Sequence, residues 1–326
     1  MAMTTDELTV IPYMERLSAQ WDAVVGAAMP THFMFQRAFM DYHARQFDEA
    51  SILLMQDDKV VAAIPATVGG TTVTSHGGLT FGTVLAAGRC GLPRMLRLVE
   101  TAAAHFNAEG ATEWLIKPLP HIYHSGAGDD DVCALTTLGA QLVRRDTATA
   151  IHPGHVRALS TERRRALRRA ARAGLHVGPS TAIDAFMDLV REILEARHQT
   201  SPVHTTDEMR LLASRFPDAI RLFTATGTTG TIEAGVLTFW TDTVIHAQYI
   251  AASDDGRRSG ALDLVVDHLV ANAQRAGRWF DFGISNERDG SLNHGLIRNK
   301  EGFGGRSIAY DRYLLPLAAS DRRAAN

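Results

Sequence analysis

Apolar residues recur along this chain in two rhythms, one near the helical period of 3.6 and one near the extended period of two. Residues 8–11 predict a short strand. Two helices follow, the first marked by Trp21, Val24 and Val25 and the second by Phe35, Phe39 and Tyr42. Residues 51–56 and 59–67 are β-rich runs separated by Asp57-Asp58, which predicts a hairpin. A third extended stretch, 71–74, leads into His76-Gly77-Gly78. Pro93 opens a helix whose apolar positions include Leu96, Val99, Ala103 and Phe106. A short buried strand at 113–116, a Gly/Asp-rich loop at 125–131, a short helix and a strand near 141–150 complete this half.

The second half repeats the order. Residues 181–197 predict an amphipathic helix with Ile183, Phe186, Val190, Ile193 and Leu194 on one face. Thr206 is expected to cap a short helix that Pro217 ends. Extended runs at 220–225, 231–240 and 244–252 precede a loop at 253–260, a helix from Ala261 to about Ala276 and a buried strand at 279–282. A loop, a short helix and a strand at 307–315 follow. The parallel between the halves predicts an α/β fold with mixed sheets, in two similar domains. Each would be a central mixed sheet covered by helices, with a cleft between the two domains. The expected boundaries are residues 1–157 for the first domain, a basic linker helix at 158–180, and 181–326 for the second.

Composition narrows the class. The 326 residues are 45% hydrophobic and 21% charged, with a formal net charge of −3. A disordered chain, a collagen-like repeat and a coiled coil are excluded, and a globally basic nucleic-acid binder is disfavoured. No apolar run approaches the ~20 residues needed to span a bilayer. The acidic start lacks the features of a signal peptide, and Cys90 and Cys133 make neither a disulfide framework nor a zinc cluster. The expectation is a cytoplasmic protein without a metal. His152 and His155 read as loop residues rather than a ligand pair.

The segment Gly256-Arg257-Arg258-Ser259-Gly260-Ala261 lies between an expected strand and an expected helix. Small residues and arginines before free helix amides can cradle a pyrophosphate, and they can equally form a plain strand-to-helix turn. Six arginines crowd residues 163–172, with Leu167, Ala170 and Ala171 on another side. Such a helix favours a polyanionic partner, against the plainer reading of a solvated basic face.

Several stretches together resemble the FemAB-like branch of the GNAT (Gcn5-related N-acetyltransferase) superfamily. Trp279-Phe280-Asp281-Phe282-Gly283-Ile284-Ser285, followed by Arg298-Asn299-Lys300-Glu301-Gly302-Phe303-Gly304, is similar to that branch's C-terminal motif. The arginine-rich stretch from Thr161 to Gly174 resembles its interdomain helix, and His76 to Gly82 resembles a first-domain loop. The resemblance implies tandem GNAT domains and transfer of an acyl group to an amine. The implied donor is acyl-CoA, such as acetyl-CoA; in other members it is aminoacyl-tRNA, and the acceptor is then a cell-wall precursor or a small natural product. This chain lacks the long helical arm of the cell-wall members, and residues 256–260 match the GNAT Arg/Gln-x-x-Gly-x-Gly/Ala pattern only in part.

Acyl transfer needs a neutral amine, a donor carbonyl held close and stabilisation of the developing oxyanion. The candidate catalytic residues are Lys300, His246, Tyr249 and Asp281. Lys300 would neutralise a phosphate or oxyanion. Asp281, inside a buried strand, calls for a partner such as Arg298 or a role in catalysis. Strand alternation places His246 and Gln248 on one face and Tyr249 on the other, where it would protonate a leaving thiolate or simply pack. Gly256, Arg257, Arg258, Ser259, Gly260 and Ala261 are the candidate cofactor cradle. His76, Gln248, Arg165, Arg169 and Arg298 are candidate substrate contacts. The expected partner is a small-molecule amine acceptor, with charged tRNA as an alternative donor docking on the arginine helix. A phosphate-ligand binding module without catalysis is the reading from another class.

Overall fold

The computed structural model describes residues 7–126, 128–228 and 230–317, and within them the chain divides into two compact units, 7–145 with 310–317 and 146–309. The first unit opens with strand β1 (Thr9–Pro12), helix α1 (Ser18–Ala27) and the short helix α2 (Arg37–Met40). The second expected helix is thus brief: it gives way to a 3-10 helix at Asp41–Gln46, where His43 has non-helical dihedrals. Strands β2 (Asp48–Glu49), β3 (Ile52–Gln56), β4 (Lys59–Ile64), β5 (Thr67–Gly69), β6 (Thr72–Thr74) and β7 (Leu85–Ala86) precede the long helix α3 (Leu92–Ala108). Strand β8 (Glu113–Ile116), helix α4 (Asp130–Thr137) and strand β9 (Gln141–Ile151) follow.

Asp57 and Asp58 both take positive φ, 48° and 59°, and join β3 to β4 in the expected hairpin. The run expected at 59–67 does not stay whole. Pro65, which has no N–H to give a ladder, separates β4 from β5, and the two strands enter different sheets. One sheet has the order β1-β3-β4-β7. The other contains β2, β5, β6 and β8, with β6 parallel to β8. The buried face of α3 is Met95, Leu98, Val99, Ala102 and Phe106, while the expected Leu96 and Ala103 are only partly buried at its margin. It packs in one apolar core with Ile52, Leu54, Ile64 and Trp114.

The second unit continues with helix α5 (Thr161–Arg172), strand β10 (His176–Ser180), helices α6 (Ile183–His198) and α7 (Thr206–Arg215), and strands β11 (Ile220–Thr226), β12 (Ile232–Trp240) and β13 (Val244–Ala252). Helices α8 (Asp254–Ser259) and α9 (Ala261–Arg275), strand β14 (Trp279–Ile284), helix α10 (His294–Glu301) and strand β15 (Arg306–Pro316) complete it. Its strands run in the order β10-β11-β12-β13-β14-β9, antiparallel except for the β13–β14 pair. The cap of α7 is Thr205 rather than Thr206: its hydroxyl accepts the Glu208 amide while the Glu208 carboxylate takes the Thr205 amide. Ala261, Val265, Val266, Leu269, Val270 and Ala273 of α9 close the core over Phe280 and Phe282. Burying a side chain such as Phe280, which has no exposed surface, contributes about 2–3 kcal/mol.

The division differs from the expected one in two ways. The helix expected as a linker, α5, packs on α9 inside the second unit: Arg163, Ala166 and Ala170 form its buried face, and the Arg163 guanidinium meets Asp263 at 2.7 Å. The boundary falls within β9, near 145, because Ala148, Ala150 and Ile151 pair with β14 in the second unit. The chain then re-enters the first unit within β15, where Tyr313–Pro316 pair antiparallel with Ile116–Glu113 of β8.

Candidate active site

The parallel strands β13 and β14 pair over only three residues, Val244, Ile245 and His246 against Trp279, Phe280 and Asp281. Beyond that point they part, and two irregularities mark the parting. In β13 the register against β12 jumps from Thr238↔Ala247 to Leu237↔Tyr249, so Gln248 is an extra residue left out of the ladder. In β14 the register against β9 shifts between Asp281 and Ile284, with Gly283 at φ 71°.

At the apex of the splay, His246 Nδ1 lies 2.8 Å from Asp281 Oδ2. Asp281 has no exposed surface, and its other oxygen accepts the Gly283 amide at 2.8 Å. A carboxylate only accepts, so His246 donates through Nδ1–H, and in the neutral ring Nε2 is the nitrogen with the lone pair. The imidazole is partly exposed, at 16% of its side-chain surface, so that nitrogen belongs to a ring solvent and ligands can reach. The partner that the buried carboxylate demands is therefore His246.

Lys300 serves the same turn from beneath. Its ammonium donates to the carbonyls of Gly283 and Ile284 and to Ser285 Oγ, each at 2.8 Å. All three donors are used within the protein, and the side chain is buried. Burial pushes its pKa down to about 8, against the opposing pull of Asp281. Its geometry is that of a clamp on the end of β14, which fixes the position of Asp281.

The bulge at Gln248 reverses the expected alternation. His246 pairs with Phe239 and Tyr249 with Leu237, two residues apart on an unbulged stretch of β12, so His246 and Tyr249 share a face. Two strand residues put their side chains about 7 Å apart. The Tyr249 hydroxyl lies 2.7 Å from His204 Nδ1 and accepts the His204 main-chain N–H at 3.1 Å. His204 was not among the sequence candidates. The only local signal is the Thr205-x-x-Glu208 capping box, which fixes the backbone next to it.

The expected phosphate cradle is not an open loop. Residues 254–259 form α8, and three main-chain amides of this stretch are engaged: Gly256 N–H to Ser253 Oγ, Arg257 N–H to the Ser253 carbonyl, and Gly260 N–H to the Gly256 carbonyl. The glycines answer to packing. A Cβ on Gly256 would fall 2.1 Å from the Glu233 carbonyl oxygen, and one on Gly260 would fall 2.3 Å from that of Ala166. Ser259 bonds Glu233, and Arg258 pairs with Asp255. Ala261, the first residue of α9, is buried. Arg257 and Arg258 remain on the surface.

On α5, Arg164, Arg165, Arg168, Arg169 and Arg172 are exposed, while Arg163 lies beneath them on Asp263 and over the Phe303 ring at 4.7 Å. Arg169 Nε also bonds the Arg258 carbonyl at 3.0 Å, which brings the arginines of α5 and α8 together. Arg298 is exposed on α10. His76 belongs to the first unit, where it is buried against His43 and Phe47, and burial drives its pKa down to about 3. It is a neutral core histidine in that unit. Thus His246, Asp281 and Lys300 gather at one turn, Tyr249 shares the strand face of His246, and the arginines of α5 and α8 meet through the Arg169–Arg258 bond.

Among the described residues no group of three or more His, Cys, Asp or Glu side chains could hold a metal ion, and no helix is long and apolar enough to cross a membrane.

Residues 161–289 match the family model of the acetyltransferase (GNAT) domain. The whole chain is similar in fold to the crystal structure of FemX, with a TM-score of 0.67 and 12% identity over 94% of this chain and 97% of that one. It is also similar to the C-terminal DUF2156 domain of a putative lysylphosphatidylglycerol synthetase from Agrobacterium fabrum, with a TM-score of 0.56 and 16% identity over 94% and 92%. A tandem GNAT protein from the clavulanic acid biosynthesis pathway, solved without AcCoA, matches with a TM-score of 0.52 and 14% identity over 97% and 100%. At these identities the likeness is one of fold. No curated protein matches by sequence.

Proposed function

We propose that this chain, a FemAB-like tandem GNAT protein, is an N-acyltransferase that moves an acyl group from acyl-CoA to an amine on a small acceptor. The observation that carries this reading is the splay of β13 from β14, with the His246–Asp281 pair at its apex. Past His246, one edge of β13 is released from β14, and a donor with an amide-bearing arm would lie along it as an added strand. The acceptor amine loses its proton to His246 Nε2 as its nitrogen attacks the acyl carbon. Asp281 holds the imidazole in the required tautomer and stabilises the imidazolium. The bulge at Gln248 leaves main-chain groups outside the β12 ladder, where an N–H would meet the developing oxyanion. The carbon–sulfur bond then breaks, and Tyr249 gives the leaving thiolate its proton. The exposed Arg257, Arg258 and Arg169 would meet the donor's phosphates from the surface of α8 and α5.

The second reading, aminoacyl-tRNA as donor, is favoured by one feature. Five exposed arginines on a twelve-residue helix make a longer anionic footprint than one CoA needs. The same base and the same acid would then act on an ester.

The test is thiol release from acetyl-CoA with a panel of primary amines, run beside aminoacyl transfer from charged tRNA with and without RNase. Amine-dependent thiol release that falls about 10²–10⁴-fold in His246→Gln, at unchanged melting temperature, supports the first reading. RNase-sensitive transfer alone supports the second. Ligand affinity without turnover from either donor would overturn both and leave a binding module.

A further inference from the structure

One residue, His204, meets the hydroxyl of Tyr249 twice. The main-chain N–H of His204 donates to it at 3.1 Å, and Nδ1 of the same residue lies 2.7 Å away. The ring planes stand at 85°, so the imidazole meets the hydroxyl at its edge without stacking on the phenol. His204 is buried, and its backbone is fixed by the capping box that begins at the next residue. The Gln248 bulge turns Tyr249 to the face that carries His246.

We propose that His204 is a positioning residue for Tyr249, gripping the phenol oxygen with its main-chain N–H and with Nδ1–H so that the phenol proton points to the leaving group. This inference rests on the acyl-transfer reading above. With two N–H groups of His204 directed at the oxygen, the phenol's own proton is not spent on His204. In the transfer step the phenol O–H bond breaks, the S–H bond forms and the carbon–sulfur electron pair ends on sulfur. The phenolate is left between two donors. The proton taken by His246 passes to solvent, and solvent reprotonates the phenolate. Burial of Tyr249 opposes ionisation, and the carboxylate of Glu208 on α7 adds to that. The bonds from His204, from the Gln248 side chain and from the Val203 backbone counter them.

The experiment reads Tyr249 directly. Tyrosinate absorbance is titrated in the protein and in Tyr249→Phe, and the difference isolates one phenol among the six tyrosines. In His204→Leu the Tyr249 titration is expected to move up by about one pH unit, and kcat to fall about tenfold at constant KM. That loss should shrink for thioesters of more acidic thiols. His204→Asn, which keeps a side-chain N–H, should recover part of both effects, and it carries the test if the Leu variant folds poorly. An unmoved Tyr249 titration, or a kcat loss independent of the leaving thiol, overturns the proposal. The titration needs no donor, so failure of the acyl-transfer reading would show separately, as absent turnover in the unsubstituted protein.

Discussion

Gly283 and His246 are fitted to one another: a Cβ on Gly283 would stand 3.2 Å from His246 Cε1. The same glycine holds φ at 71°, and its amide bonds the carboxylate that orients the imidazole. One residue without a side chain thus satisfies a backbone strain, a close approach and a hydrogen bond. Gly283→Ala is expected to cost about 1–2 kcal/mol in stability, measured by urea unfolding, and to lower kcat by more than that loss would suggest. Full activity in this variant would separate the His246 ring from the reaction.

Lys300 supports the same turn, and its removal should be felt first in folding. Lys300→Met leaves two carbonyls and a hydroxyl without their shared donor, at an expected cost of about 2–4 kcal/mol. The urea midpoint should fall accordingly. If stability held while turnover vanished, the ammonium would have to act on substrate.

The first unit should be weakened by acid through His76. Its folded pKa is about 3, below the ordinary value of 6.5, because burial opposes the charged ring. Below pH 6.5 the unfolded chain binds a proton that the folded one refuses, so this stability is present above pH 6.5 and is lost progressively toward pH 3. At pH 5 the loss amounts to about 2 kcal/mol. Comparing urea midpoints at pH 7 and 5 checks it. His76→Asn, which tolerates the positive φ of 62° and keeps an acceptor for the Gly78 amide, should flatten the dependence.

Replacing Arg164, Arg165, Arg168 and Arg172 together by Gln should leave melting unchanged, since all four are exposed. Binding of charged tRNA should weaken, and the slope of log K against log salt should fall by about 1 for each phosphate that an arginine no longer neutralises. An unaltered slope would make this surface a solvated one.

Much of this was legible in the residues. Asp57-Asp58 announces its turn and Pro93 its helix, because each is a local pattern with a local cause. Asp281 announces that it needs a partner, but not which one, since the pairing of β13 with β14 joins residues 35 apart in sequence. Strand alternation misplaced Tyr249 because a bulge adds one residue to the count, and no residue type in His246-Ala247-Gln248-Tyr249 signals it. The glycines at 256 and 260 suggest a ligand, yet each lies against a carbonyl from a distant element. Arg163 read as one more basic residue and proved to be buried on Asp263.

The passage of the chain through β9 and β15 bears on the order in which the protein can be completed during synthesis. Residues 146–309 form an unbroken stretch, whereas the first unit needs Tyr313–Pro316 to cover the edge of β8. A ribosome therefore releases everything the second unit requires before it has released all that the first requires. The half made earlier is the half finished later, and until then the strand bearing Trp114 keeps an open edge awaiting the returning chain.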